Sequence, residues 1–113
     1  MITADIKHGV ITIDGHANTA PRGQDIVCEA VTALTFTLIN SLVELTDEHI
    51  VYDASRPGHI SVKIPVSPEG FLLVMSYGIG MYTLSIQYPE NIRLTKNFED
   101  RILHVAQCRR GTH

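Results

Sequence analysis

The stretch Ile26–Leu45 is apolar over a length that could cross a bilayer, yet it carries Glu29, Thr32, Thr35, Thr37, Asn40, Ser41 and Glu44, with no lysine or aromatic flank. That mixture predicts a buried helix of a folded domain, not a membrane span. Val27, Val31, Leu34, Leu38, Leu42 and Leu45 recur at steps of three and four and form one core-facing stripe. Ile26, Ala30, Ala33, Phe36 and Ile39 make much of the remaining circumference apolar too. A helix greasy on most sides must be covered on most sides, and in a chain of 113 residues the expected extra cover is a second copy. A homodimer is therefore expected.

The rest of the chain limits what can surround that helix. One domain, residues 1–113, fits the length, and the 44% apolar and 19% charged content is that of a globular protein. A net charge of −3 removes the electrostatic footprint of a protein that grips nucleic acid through many phosphates, so no direct nucleic-acid partner is expected. Cys28 and Cys108 lie 80 positions apart, and Met1-Ile2-Thr3-Ala4-Asp5 lacks the basic and apolar regions of a leader. Both features predict a reduced, cytoplasmic setting with no membrane partner.

Ahead of the helix, Ile2-Thr3-Ala4-Asp5-Ile6 and Val10-Ile11-Thr12-Ile13-Asp14 alternate with period two around Lys7-His8-Gly9, which predicts a hairpin. The segment from Gly15 to Gly23, with Pro21 and small polar residues, sustains neither period and reads as a mobile loop. Beyond Thr46-Asp47-Glu48, segments 49–53 and 59–65 read as strands around Ser55-Arg56-Pro57-Gly58. Ser67-Pro68 places a capping hydroxyl before a proline, and Phe71, Met75, Ile79, Tyr82 and Ile86 follow at helical spacing. Gly78 and Gly80 inside that second helix imply a close backbone approach, not a phosphate loop. Asn91-Ile92-Arg93-Leu94 reads as a short strand, and residues 98–108 as a weakly amphipathic tail. The order ββαββα with a short C-terminal strand predicts an α+β fold of two layers, an antiparallel sheet with two helices on one face.

The chemistry concentrates between residues 15 and 32. Asp25 is a suitable N-cap, which would make Cys28 the third residue of the helix, where free N–H groups and the helix dipole stabilise a thiolate. His16, at the far end of the loop, could serve as its base if the loop folds back. Spacing alone leaves the ordinary reading open: a buried free cysteine and an unremarkable loop histidine. His8, His49, His59, His104 and His113 show no paired metal-ligand spacing and read as surface residues; His104 with Cys108 is half a zinc site at best. Asp5 and Asp14 read as solvated turn or strand carboxylates, and no metal or cofactor is expected.

Gly15-His16-Ala17, Ala20, Gly23, Asp25-Ile26-Val27-Cys28 and Ala30-Val31 resemble the signature of the ribosomal-processing cysteine protease family, including the His-to-Cys separation of 12. The weaker likeness extends over about residues 1–95. The resemblance implies Cys28 as nucleophile and His16 as general base, with Asp25 and Thr32 in support and Gly15 and Gly23 as hinges of a loop closing over substrate. It implies a thiol protease of ribosome biogenesis, a homodimer in which no metal or cofactor takes part. Its substrate would be a peptide or protein: the N-terminal extension of large-subunit ribosomal protein twenty-seven, or a related phage capsid or scaffold protein. Glu29 stands where the family has a small residue, and its charge opposes a thiolate unless it points to solvent. The competing reading is a non-catalytic protein of the same fold that holds a ribosomal or capsid peptide.

Overall fold

The computed structural model describes residues 1–15 and 25–111, with the backbone alone at Asp25 and at residues 109–111. β1 (Ile2–Lys7) and β2 (Val10–Asp14) form the first hairpin. Its two turn residues, His8 and Gly9, both take positive φ, 54° and 75°, the twist that suits a two-residue hairpin turn. α1 (Asp25–Leu45) leads to the second hairpin, β3 (Tyr52–Arg56) and β4 (His59–Lys63), turned at Pro57-Gly58 with φ 74° at the glycine. α2 (Pro68–Gln87) and β5 (Ile92–Leu94) follow.

The sheet order is β3-β4-β2-β1-β5. Four strands are antiparallel as expected, but β5 pairs parallel with β1, so the sheet is mixed. The reason lies in the connection. α2 carries the chain from β4 across β2 and β1 to the far edge, and a strand reached through a helical crossover runs in the same direction as the strand it left. β2, α1 and β3 repeat the same unit, which places both helices in one layer over one face of the sheet. The two-layer α+β expectation holds.

The core lies between these layers. Ile2, Ala4 and Ile6 of β1, Ile11 and Ile13 of β2, Val62 and Ile92 face Val27, Val31, Leu38, Ile39 and Leu42 of α1 and Val74, Tyr77 and Met81 of α2, all buried. Leu45, assigned to the stripe, is exposed because it is the last residue of α1, and Leu34 is only half-buried. On α2 the buried positions are Gly70, Val74, Met75, Tyr77, Gly78 and Met81, so the spacing Ile79-Tyr82-Ile86 belongs to the outer face. α1 and α2 are both long and apolar enough to span a membrane, and each buries one face in this core.

Ser67 caps α2 as its sequence predicts: its Oγ accepts from the Gly70 N–H at 3.1 Å, and Pro68 fills the first turn. Glu48 binds the same cap, accepting from the Ser67 hydroxyl and from the N–H groups of Val66 and Ser67. The Ser67 hydroxyl, then the Val66 N–H, hold the Glu48 carboxyl below its ordinary pKa.

The tail departs from its reading. After β5, α3 (Lys96–Phe98), a π-helical turn (Glu99–Leu103) and α4 (His104–Gly111) form one helical segment docked on the domain. Phe98 and Ile102 are fully buried. Thr95 starts the segment, accepting from the Phe98 N–H at 3.2 Å and donating to Asp5 Oδ1 at 2.6 Å, so Asp5 is a tether and not a solvated carboxylate. Gly78 shows why docking is possible: a Cβ there would overlap Ile102 Cγ2. At Gly80 a Cβ would stand 2.8 Å from Leu34 Cδ2, so the second glycine lets α1 approach α2.

One polar pair ties the helices. Thr35 Oγ1 donates to Val31 O at 2.7 Å and accepts from the Tyr77 hydroxyl at 2.8 Å, both side chains buried. Burial pushes the Tyr77 phenol far above its usual pKa. Thr35→Val removes the acceptor and strands the tyrosine hydroxyl, so it should cost about 1–3 kcal/mol in urea unfolding, while Tyr77→Phe costs less and the double variant recovers part of the loss.

Candidate active site

Cys28 lies in the first turn of α1, the fourth helical residue, since the Asp25 backbone is already helical. The displacement by one position leaves Cys28 within the first turn, at the positive end of the helix dipole. Val27 and Val31, on either side of it in the helix, are buried against the sheet. That fixes the rotation of α1 and leaves Cys28 half-buried, packed against the edge of the core. Cys108, on α4, is exposed.

The sulfur's residue lines a cavity of about 100 Å³ at the end of the helix–sheet interface. Val31 and Thr32 complete the α1 wall, and Ile2, Ile13, Gly15, Gly58, His59 and Ile60 form the sheet wall. Thr32, one turn beyond Cys28, is exposed at the rim. Glu29 is exposed as well, so its carboxylate is solvated beside the helix and weakly felt at the thiol.

Gly15 is required where it stands. Its φ is 109°, and a Cβ would overlap the carbonyl oxygen of Met1. Its N–H donates to Gly58 O at 2.9 Å, which joins the end of β2 to the β3–β4 turn. His16 and Gly23 lie outside the described residues, and so, beyond Gly15, does the expected mobile loop; of Asp25 only the helical backbone is described.

The residue that sequence reading missed is His59. It is half-buried, lines the Cys28 cavity, and its Nδ1 bonds Asp14 Oδ1, so neither is an isolated surface group. The two stand opposite each other in the β2–β4 register, 45 positions apart in the chain. Alternation in both strands could have signalled the pairing only with the register known. His104, by contrast, is exposed and meets only Asp100, at 3.4 Å. Among the described residues no cluster of three metal-ligating side chains occurs.

A thiol in the first turn of a helix, at the wall of a cavity, is a candidate nucleophile of the kind cysteine hydrolases use. The profile of the family described as cysteine protease Prp matches residues 1–93, and the chain belongs to that family: it is a cysteine protease. The ribosomal processing cysteine protease Prp of Staphylococcus aureus is 35% identical over 104 residues, which cover 83% of this chain and 97% of the relative. That of Bacillus subtilis is 32% identical over 110 residues, covering 86% and 98%. The crystal structure of the essential S. aureus protease with a covalently linked product peptide superposes with a TM-score of 0.74 at 29% identity, covering 84% of this chain and 98% of the other. The structure of the same protease with a substrate peptide gives 0.73 at 28% identity, with the same coverage.

Proposed function

We infer that the chain is an endopeptidase that removes the N-terminal extension of a ribosomal protein, large-subunit protein twenty-seven, with Cys28 as nucleophile and His16 as general base. The observation that carries this reading is the position of Cys28, in the first turn of α1 and on the wall of a cavity. The relatives named as ribosomal processing proteases, over nearly their full length, support the substrate class. A capsid or scaffold protein with a similar cleavage sequence is the alternative substrate. Ribosomal proteins are made in the cytoplasm, which is the compartment this substrate implies.

In this reaction His16 takes the Sγ proton, and the thiolate attacks the scissile carbonyl carbon. The tetrahedral intermediate collapses as the imidazolium protonates the leaving amine, the C–N bond breaks, and a thioester joins Cys28 to the N-terminal fragment. His16 then deprotonates a water that attacks the thioester, releasing a carboxylic acid and regenerating the thiol. Asp25 supports the helix start, Thr32 the rim one turn below the sulfur, and Gly15 and Gly23 bound the loop that brings His16 to it.

The homodimer is part of this proposal. Leu72, Ile79, Tyr82 and Ile86 project from α2 with exposures of 46–60%, and Ile26 opens α1 at 59%. A second copy covering the α2 stripe would bury on the order of 1,200 Å² or more in total. Sedimentation equilibrium at micromolar concentration should return twice 12.5 kDa; a concentration-independent 12.5 kDa species would overturn the dimer.

With a peptide spanning the ribosomal extension, the wild-type chain should yield two fragments. Cys28→Ala should keep its circular dichroism and lose at least about 10³-fold in turnover, and His16→Ala about 10²- to 10⁴-fold. Retained turnover in Cys28→Ala, or complex formation without fragments in the wild type, would contradict the reading.

A further inference from the structure

The Cys28 cavity has a second polar wall that the reaction above does not use. His59 opens β4 directly opposite Asp14 at the end of β2, and the β2–β4 ladder holds the pair in register. An ionised carboxylate only accepts, so the contact between His59 Nδ1 and Asp14 Oδ1 places the ring proton on Nδ1. The carboxylate thereby fixes both tautomer and ring orientation, and the one ring nitrogen left for another molecule is Nε2. Asp14 is largely exposed, with 58% of its side chain accessible, while His59 is at 21% and lines the same cavity as the cysteine. The other cavity walls are aliphatic, from Ile2, Ile13, Val31 and Ile60, together with Gly15, Gly58 and the rim hydroxyl of Thr32.

A peptide entering this space exchanges water for aliphatic contacts, and each of its buried amide groups needs a partner. His59 is the titratable side chain that the described walls offer besides Cys28 itself. We propose that His59, oriented by Asp14, is a substrate-contacting residue of the protease, hydrogen-bonding through Nε2 to a backbone amide of the peptide beside the scissile bond. Asp14 is its positioning residue. The inference rests on Cys28 being the nucleophile and adds a contact that neither His16 nor the helix start supplies. The strand ends set its geometry: the Gly15 N–H donates to Gly58 O, one residue from each partner, and joins the end of β2 to the start of β4.

Two readouts test this on the full chain. In peptide cleavage, His59→Ala should lower kcat/KM by about 10- to 100-fold, while His59→Gln, whose amide reaches the position of Nε2, keeps most of the activity. Asp14→Ala should follow His59→Ala in part, and Asp14→Asn, which retains an acceptor for Nδ1–H, should recover. The rate of Cys28 alkylation by iodoacetamide should be unchanged in all four, since the thiol is not the target of the contact. The second readout needs no substrate. In a Cys108→Ser chain, iodoacetamide leaves a carbamidomethyl amide on Cys28 Sγ, inside the cavity, and the His59 ring signals, assigned by their loss in His59→Gln, should shift in NMR spectra. Wild-type kcat/KM in His59→Ala, a parallel fall in alkylation rate, or unmoved ring signals would overturn the proposal. A wild-type chain that cleaves no peptide would defeat the ribosomal-substrate reading, and the ring shift would still decide the role of His59.

Discussion

The rotation of α1 about its axis sets the chemistry of this fold. Val27, Val31, Thr35, Leu38, Ile39 and Leu42 occupy one arc of the helix and are all buried. A turn of the helix by even part of a residue would push branched side chains off the sheet, at roughly 1.5–3 kcal/mol for each one re-exposed. The bond from the Tyr77 hydroxyl to Thr35 adds a directional constraint to the apolar ones. Cys28 therefore cannot sink fully into the core or swing out to solvent. It stays half-buried at the edge of the interface, with the helix N-terminus behind it.

The opposite wall depends on a different device. Two hairpins end side by side because β2 and β4 are neighbours, and their last paired residues are Asp14 and His59. The chain leaves β2 through Gly15, whose positive φ and contact with the Met1 carbonyl no other residue tolerates without strain. Helix start and sheet end thus meet at a cavity whose walls come from four separate stretches of chain. None of these stretches is held by the cavity itself. Each is anchored in the core, which leaves the space between them to be shaped for a substrate.

Much of this was legible from residue patterns because the signals are local. Period-two alternation marked the first hairpin, Ser67-Pro68 marked the start of α2, and the Gly-His-Ala and Asp-Ile-Val-Cys segments marked the family. What escaped is what depends on distant partners. The direction of β5 follows from the α2 crossover and not from Ile92-Arg93-Leu94. The tail reads as weakly amphipathic because, among its described residues, only Phe98 and Ile102 are buried; the notch that admits Ile102 is a glycine far upstream. Helical spacing over Phe71, Met75, Ile79, Tyr82 and Ile86 marks α2 but not which of its faces is buried, because both faces of that helix are apolar. His59 looked solitary since its carboxylate lies on another hairpin.

The central claim is that Cys28 forms the covalent bond to the substrate. Acid quench of the wild-type chain during turnover of the ribosomal-extension peptide, followed by intact mass measurement and peptide mapping, tests it directly. A transient species heavier by the acyl N-terminal fragment, with the thioester mapped to Cys28, is the predicted result. Cleavage that proceeds with the adduct on Cys108 or another residue, or with a trapped population that never carries an adduct under conditions where deacylation limits the rate, would contradict it.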